Sequence, residues 1–270
     1  MSSGTQASLA QPSLLRSFNI QRRVVHALLL REILTRYGRH NLGFLWLFAE
    51  PMLFTVGVTA LWTATKSLHG SDLPIVAFAL TGYSSVLLWR NMPGRCIGAL
   101  TPNLSLLYHR NVRPIDIYLA RLLLEFAGAT MSLIFLSIFF YAIEWLMPPQ
   151  DVLQVIGGWL MLTWFGFAFA LILGPLSEMS ETVDKLWHPL AYFTFPLSGA
   201  AFLVDSLPRP AQELILYLPM VHGVEFIREG WFGERARAHY DMGYMALITT
   251  VMTLIGLALL RRVSRNVIPE

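Results

Sequence analysis

Six apolar stretches, each near the length of a membrane crossing, occupy most of this chain: residues 42–65, 73–89, 117–141, 152–176, 186–204 and 242–260. A helix rises about 1.5 Å per residue, so about 20 residues cross a hydrocarbon layer of about 30 Å. Residues 126–143, 152–177 and 242–260 contain no charged side chain. A soluble helix keeps one polar face, whereas these stretches are apolar all round. Only 14% of the 270 residues are charged, against about 25% in soluble domains. The expected fold class is an all-α integral membrane protein. It has six transmembrane helices, an N-terminal interfacial helix over 14–40, and short re-entrant helices between spans five and six.

Orientation follows from the basic residues, which stay on the cytoplasmic side when they lie in short loops. Arg16, Arg22, Arg23, Arg31, Arg36 and Arg39 precede the first stretch. Arg90, Arg95, Arg110 and Arg113 lie between the second and third, Lys185 between the fourth and fifth, and Arg261, Arg262 and Arg265 after the last. The alternate connections hold only Lys66, then none, then Arg209, Arg228, Arg235 and Arg237 in a long loop. Both termini are therefore expected in the cytoplasm. No secretory signal is expected, because the first apolar patch, 24–30, is interrupted by His26 and no small-residue cleavage site follows it.

Residues 1–13 are polar and expected to be disordered. From Leu30 onward the first helix separates its faces, with Leu30, Ile33, Leu34 and Tyr37 on one side and Arg31, Glu32, Thr35 and Arg36 on the other. Such a helix either lies in the membrane interface or packs against the bundle. In the second-to-third connection, Thr101-Pro102 reads as an N-cap followed by proline at the first helical position. A short helix is expected from there to about His109, ended by Asn111 and Pro114, with Leu104, Leu107 and Tyr108 as apolar contacts. The loop 177–185 carries Glu178, Glu181 and Asp184 and is either a second docking element or a solvated turn. Between the fifth and sixth stretches, 214–218 and 221–227 read as two short half-buried helices around Pro219, tolerated at membrane depth where protein covers the backbone.

Several chemistries lack their residues. Neither Lys66-Ser67 nor Lys185 follows the glycines of a phosphate-binding loop, so no ATPase site is expected in this chain. No H-E-x-x-H or G-x-S-x-G occurs. Cys96 is the sole cysteine, which excludes an intramolecular disulfide. A net charge of +3 gives no basis for nucleic-acid binding. His188 and His222 read as hydrogen-bonding groups near helix ends rather than as metal ligands.

Polar groups inside apolar stretches are costly and so mark candidate sites. Glu50 precedes Pro51, which removes a helix hydrogen bond. Trp46, Glu50, Phe54 and Gly57 share a helical stripe that reads either as one wall of a polar pathway or as packing with Glu50 paired to an arginine. Arg121 and Glu125, spaced i,i+4, are expected to pair. Tyr192, Phe195 and Phe202 are expected on one face of the fifth span, where aromatic rings suit stacking on sugars or ordinary packing.

Leu30-Arg31-Glu32-Ile33 with Thr35-Arg36-Tyr37-Gly38, then Leu42-Gly43-Phe44-Leu45-Trp46 and Glu50-Pro51, resembles the start of membrane permeases of polysaccharide ABC exporters. So do Asn103-Leu104-Ser105-Leu106-Leu107, Val112-Arg113-Pro114-Ile115-Asp116 and Ala120-Arg121-Leu122-Leu123-Leu124-Glu125. The segment from Pro219-Met220-Val221-His222 to Phe226-Ile227-Arg228-Glu229 resembles the capsule-exporting branch. The resemblance implies a homodimer around one channel, with two copies of a cytoplasmic ATP-binding subunit that carry the ATP and Mg; no cofactor is implied for this chain. It implies ATPase coupling through Thr101, Asn103, Leu104, Leu107, Tyr108 and Arg110, with Glu178 and Glu181 as a second contact. Arg31, Arg36 and Arg39 are implied to meet the phosphate of a lipid-linked capsular polysaccharide at the bacterial inner membrane. Periplasmic and outer-membrane export proteins are the implied onward partners. The competing readings are a permease for lipid-linked O-antigen or teichoic acid, a membrane-embedded glycosyl- or acyltransferase using Glu50 and His222, and a passive channel.

Overall fold

A computed structural model describes residues 14–37, 45–65, 73–108 and 112–267, and every regular element among them is helical. The helices are α1 (Leu14–Tyr37), α2 (Trp46–Thr65), α3 (Ile75–Cys96), α4 (Leu104–Leu107), α5 (Pro114–Ala142), α6 (Val152–Met179), α7 (Glu181–Leu197), α8 (Arg209–Ile215), α9 (Pro219–Phe232) and α10 (Met242–Val267). Their boundaries follow local chemistry. Pro114 opens α5, and the Asp116 carboxylate accepts from the Arg113 N–H at 2.9 Å, satisfying a donor that the first turn leaves free. Asp151 caps α6 by accepting from the Gln154 N–H at 2.9 Å. Glycine at φ 62° closes α9 at Gly233.

The core is built around α3, whose side chains are all buried from 77 to 89. On it pack α5 and α6; α10 and α9 lie against α6, and α1 lies along α5. The α2 and α7 helices sit at the margin. Apart from Thr55 and Thr59, the described side chains of α2 are at least partly open, and both threonine hydroxyls donate to their own helix backbone. In α7 only Trp187 is buried.

Pro114–Ala142, Val152–Met179 and Met242–Arg265 are each long and apolar enough to cross a membrane. Their outer faces carry Ile134, Phe135 and Ile138 of α5, Leu153 and Leu160 of α6, and Leu247, Leu254 and Ile255 of α10, all exposed. An apolar belt of this extent has no place in water. The α2 and α3 helices, at 20 and 22 residues, have the length for a crossing, and α7 is shorter at 17 residues.

Five expectations are corrected by the structure. The stretch 186–204 is not one helix: α7 begins at Glu181 and ends at Leu197, and the chain reverses through Gly199 at φ 78°, a conformation without steric cost for glycine. No loop spans 177–185, because Ser180 alone separates α6 from α7. Thr101 caps nothing; Thr101–Asn103 is a 3-10 turn leading into α4. The pair of short helices around Pro219 is α8 and α9, and the second runs on to Phe232 rather than ending at 227. Finally, α1 turns Glu32 and Arg36 toward the bundle and leaves Leu15, Phe18, Leu30 and Leu34 exposed. Half-buried Leu28, Leu29 and Ile33 share the packing side, with Leu28 against the core, while Arg31 and Thr35 join Leu30 and Leu34 on the exposed side. His109, Arg110, Asn111 and Arg39 lie outside the described residues, as do residues 1–13 and Lys66.

Candidate functional site

The basic end of the bundle gathers charges from four helices. Glu125 of α5 accepts from Arg36 of α1 at 2.6 Å and pairs with Arg95 of α3 at 2.9 Å. Arg95 also lies 4.0 Å from Glu50 of α2. Arg121 pairs with Glu32 of α1 at 3.2 Å and donates to the Arg95 carbonyl at 2.8 Å. The expected Arg121–Glu125 pair is therefore not made. An i,i+4 pair contributes a few tenths of a kcal/mol, less than half-buried contacts that also dock a helix. Gln21 of α1 adds a hydrogen bond to Asp116.

The short α4 is tied into this end from two sides. Arg31 donates to Asn103 Oδ1 at 2.5 Å, and Asn103 Nδ2 donates to the Ala99 carbonyl at 2.8 Å. Glu178, at the end of α6, accepts from the Leu100 N–H at 2.8 Å and from the Thr101 hydroxyl at 3.0 Å. Ser177 Oγ accepts from the Gly98 N–H at 3.0 Å. Held this way, α4 faces two directions: Leu107 is 5% exposed and belongs to the core, whereas Leu104 at 40% and Tyr108 at 75% point outward. The outward surface is thus Leu104 and Tyr108, without Leu107. Glu181, in the exposed first turn of α7, pairs with Lys185 at 3.5 Å.

Beside this network the margin helices enclose open space. Trp46, Glu50, Leu53 and Phe54 of α2 border a groove of about 430 Å³, and nothing lies within 4 Å of where a Gly57 side chain would begin. The stripe read along α2 is therefore an open face. A second cleft, of about 260 Å³, runs between α2, α3 and α7 and is bordered by Glu50, Arg90, Arg95, His188 and Tyr192 among others. Phe195 lies apart from both, with its ring edge-on to Tyr83 at 5.6 Å. Phe202 is separated further, in the segment after Gly199, packed against Val204, Ile215 and Val221. The expected aromatic face is split by the end of α7.

At the opposite end, Arg228 of α9 is fully buried. Its guanidinium donates to the carbonyls of Gly199, Ala200 and Phe202, each at 2.5 Å, and stacks on Phe78 of α3 at 3.8 Å. Glu225, also fully buried, lies 3.8 Å away and accepts from the Val204 and His239 N–H groups. Burial pulls Arg228 down to about 10 and pushes Glu225 up, while their pairing opposes both shifts. Gly82 is required here, since a Cβ on it would lie 2.5 Å from the Ala200 carbonyl oxygen and 2.7 Å from Arg228 Nη2. His222 accepts the Asp241 N–H on Nδ1 at 2.8 Å, which leaves Nε2 to donate to the Leu216 carbonyl at 2.8 Å. That arrangement fixes a neutral ring, and burial lowers its pKa further. Both ring nitrogens are thus committed to backbone, and no metal-ligating cluster of three His, Cys, Asp or Glu occurs among the described residues.

The sequence reading missed Arg90, Arg95 and His188 as cleft residues and the Arg228–Glu225 pair as a lock. The signal for the last was present as Glu225 and Arg228 three residues apart in a largely apolar segment, with Glu229 directly after.

Comparison with known proteins returns one family description, ABC-2 type transporter, matching residues 23–232. Over 263 residues the chain is 43% identical to the capsule polysaccharide export inner-membrane protein CtrC of Neisseria meningitidis serogroup B, covering 97% of this chain and 99% of that one. It is 40% identical over 260 residues to the capsule polysaccharide export inner-membrane protein BexB of Haemophilus influenzae, with 96% and 98% covered. To the polysialic acid transport protein KpsM of Escherichia coli it is 30% identical over 252 residues, with 90% and 95% covered.

Proposed function

The chain belongs to the ABC-2 type transporter family, and from that premise we propose that it is the membrane permease of an exporter moving lipid-linked capsular polysaccharide out of the cytoplasm across the inner membrane. The family is that of the permease subunit, which is not itself the ATPase. ATP and Mg then act on a separate partner, two copies of which sit below a homodimer of this chain. The proposed spans are α2, α3, α5, α6, α7 and α10, with α8 and α9 as the re-entrant pair and both termini in the cytoplasm. Periplasmic and outer-membrane proteins take the polymer onward.

The match to capsule exporters over nearly the full length of both chains is the observation that carries this reading. The geometry supports it in two ways. At the basic end, α4 presents Leu104 and Tyr108 outward while Glu178 holds its base, as a coupling helix requires. The open faces of α2 and α7 supply surface for a second copy and for a channel between them. Arg31 and Arg36, implied to be headgroup contacts, are engaged with Asn103 and Glu125; their part in this proposal is to join α1 to the coupling region.

The test is co-purification of the tagged chain with an ATP-binding subunit encoded beside it, followed by ATPase activity and surface polysaccharide in a deletion strain. Association and loss of surface polymer are expected. A chain that purifies alone and converts a lipid-linked sugar by itself would overturn the proposal in favour of a membrane enzyme.

A further inference from the structure

The cleft between α2, α3 and α7 is built from two helix faces of matching spacing. On α3 it takes residues 90, 91, 94 and 95, and on α7 residues 187, 188, 191 and 192. Each set follows i, i+1, i+4, i+5, so each is one continuous strip of helix surface. Gly94 lets the strips close at the floor: a Cβ there would stand 3.2 Å from the indole nitrogen of Trp187. The 260 Å³ of space equals the volume of about nine liquid waters, the scale of a phosphate with one sugar ring.

Its charge is unbalanced. Among the described residues no carboxylate pairs with Arg90, which hydrogen-bonds the phenol of Tyr83. Arg95 pairs with Glu125 at 2.9 Å, outside the cleft lining. Glu50 is the one acid on the cleft wall, and at 4.0 Å it only grazes Arg95. The cleft wall therefore carries two guanidinium groups, Arg90 and Arg95, against the one carboxylate of Glu50. A guanidinium fork matches the oxygens of a phosphate. Asn91 brings an amide to the same wall, and Tyr192, 76% exposed, lays an aromatic face at the mouth. The cleft lies at the end of α3, the beginning of α2 and the middle of α7, which the orientation proposed above puts in the cytoplasmic half of the membrane.

We propose that this cleft seats the phosphodiester of a lipid-linked saccharide, with Arg90 as its main contact, Arg95 and Asn91 as supporting donors, and Tyr192 stacking on the first sugar. The saccharide part rests on the permease reading; the phosphate part rests on the cleft alone.

The full-length chain in detergent micelles is treated with phenylglyoxal, and modification of Arg90 is followed by peptide mass spectrometry. Three lipid probes are compared: phosphatidylglucose, phosphatidylglycerol, and glucosyl diacylglycerol, which lacks phosphate. Phosphatidylglucose is expected to slow Arg90 modification at least fivefold, phosphatidylglycerol less, and glucosyl diacylglycerol not at all. Equal protection by both phospholipids would make the cleft an ordinary headgroup site and overturn the saccharide assignment. Protection by none of them, or by the phosphate-free lipid equally, would overturn the site. Because wild-type protein is labelled, folding of a variant is not at issue. As a second arm, R90Q is expected to weaken phosphatidylglucose binding about tenfold, R90K to restore part of it, and Y192A to weaken phosphatidylglucose but not phosphatidylglycerol. Association with the ATP-binding subunit is measured in the same preparation. Association without protection removes only the cleft assignment, and protection without association removes only the permease reading.

Discussion

Glu178 is where the proposed coupling can be weakened without touching the surface that docks. Its carboxylate takes the Leu100 N–H at 2.8 Å and the Thr101 hydroxyl at 3.0 Å. A hydrogen bond to a charged group is worth about 1.5–3 kcal/mol, and less where solvent reaches it. Glu178 is half-buried, so each of the two bonds falls just below the lower end, at about 1.25 kcal/mol, and E178A is expected to cost the base of α4 about 2.5 kcal/mol. At 1.4 kcal/mol per decade, the detached state becomes about 60-fold more populated. Amide exchange at Leu100, itself buried, follows that local opening and should accelerate by the same factor. E178Q keeps one carbonyl acceptor for two donors and should give about half the free-energy change, roughly 8-fold. Affinity for the ATP-binding subunit should fall only as far as the attached fraction falls, because only the attached helix is competent to dock. The assay is hydrogen exchange on peptides covering 97–108, with titration of the subunit against each variant. Exchange at Leu100 within threefold of wild type in E178A would refute the claim that Glu178 anchors this turn. Exchange fast enough to show the turn mostly detached, with subunit affinity unchanged, would refute the coupling role while leaving the anchor.

The two leucines of α4 should separate cleanly. L104D is expected to weaken subunit binding at least tenfold with the melting temperature of the chain unchanged, whereas L107D places a charge in the core and should cost 3 kcal/mol or more in stability, read as loss of folded protein in detergent. R228M strands three carbonyls and leaves Glu225 uncompensated, which should destabilise the outer hairpin by about 3–5 kcal/mol; adding E225Q should recover part of that loss, and proteolysis near 199–208 is the readout. His222 is held neutral, with a folded pKa below its ordinary 6.5, so below pH 6.5 the unfolded chain binds more protons than the folded one. Its contribution to stability is complete above pH 6.5 and is lost as pH falls through the folded value. H222Q should flatten that part of a stability–pH curve measured by thermal unfolding.

What could be read from the residues depended on whether local pattern or tertiary pairing decides the outcome. The charge-free stretch 152–177 became α6, Val152–Met179, because nothing within it competes with a buried helix and Asp151 marks its start. The end of α7 was harder. Hydropathy stays high to residue 204, so the run conceals the reversal at Gly199, although Pro196 and Gly199 together signal it. The Arg121–Glu125 spacing invited a local pair, but Glu125 is reached by Arg36, 89 residues earlier, and no linear pattern encodes that. The same limit applies to α4. Leu104 and Leu107 stand three apart and read as one face, yet the neighbour of Leu107 is the core around buried Leu100, and that of Leu104 is solvent.

The placement of charge also bears on which parts of the bundle can move. Charged groups are expensive at membrane depth, and here they concentrate at the two ends of the central helix. At the basic end Glu125 joins α1, α3 and α5. At the other end Arg228 joins α9, the turn after α7 and Phe78 of α3. Between these locks α3 is buried from 77 to 89, and close-packed interiors transmit strain rather than absorb it. A push delivered to α4 reaches α6 through Glu178 and α1 through Arg31, both of which are fastened to that unit. The slack lies in α2 and α7, which bury little. These helices also border the cleft and the groove. Under the proposed function, the compliant helices form the movable walls of the substrate's path against the fixed wall of α3, and the pinned helices are those that receive the force.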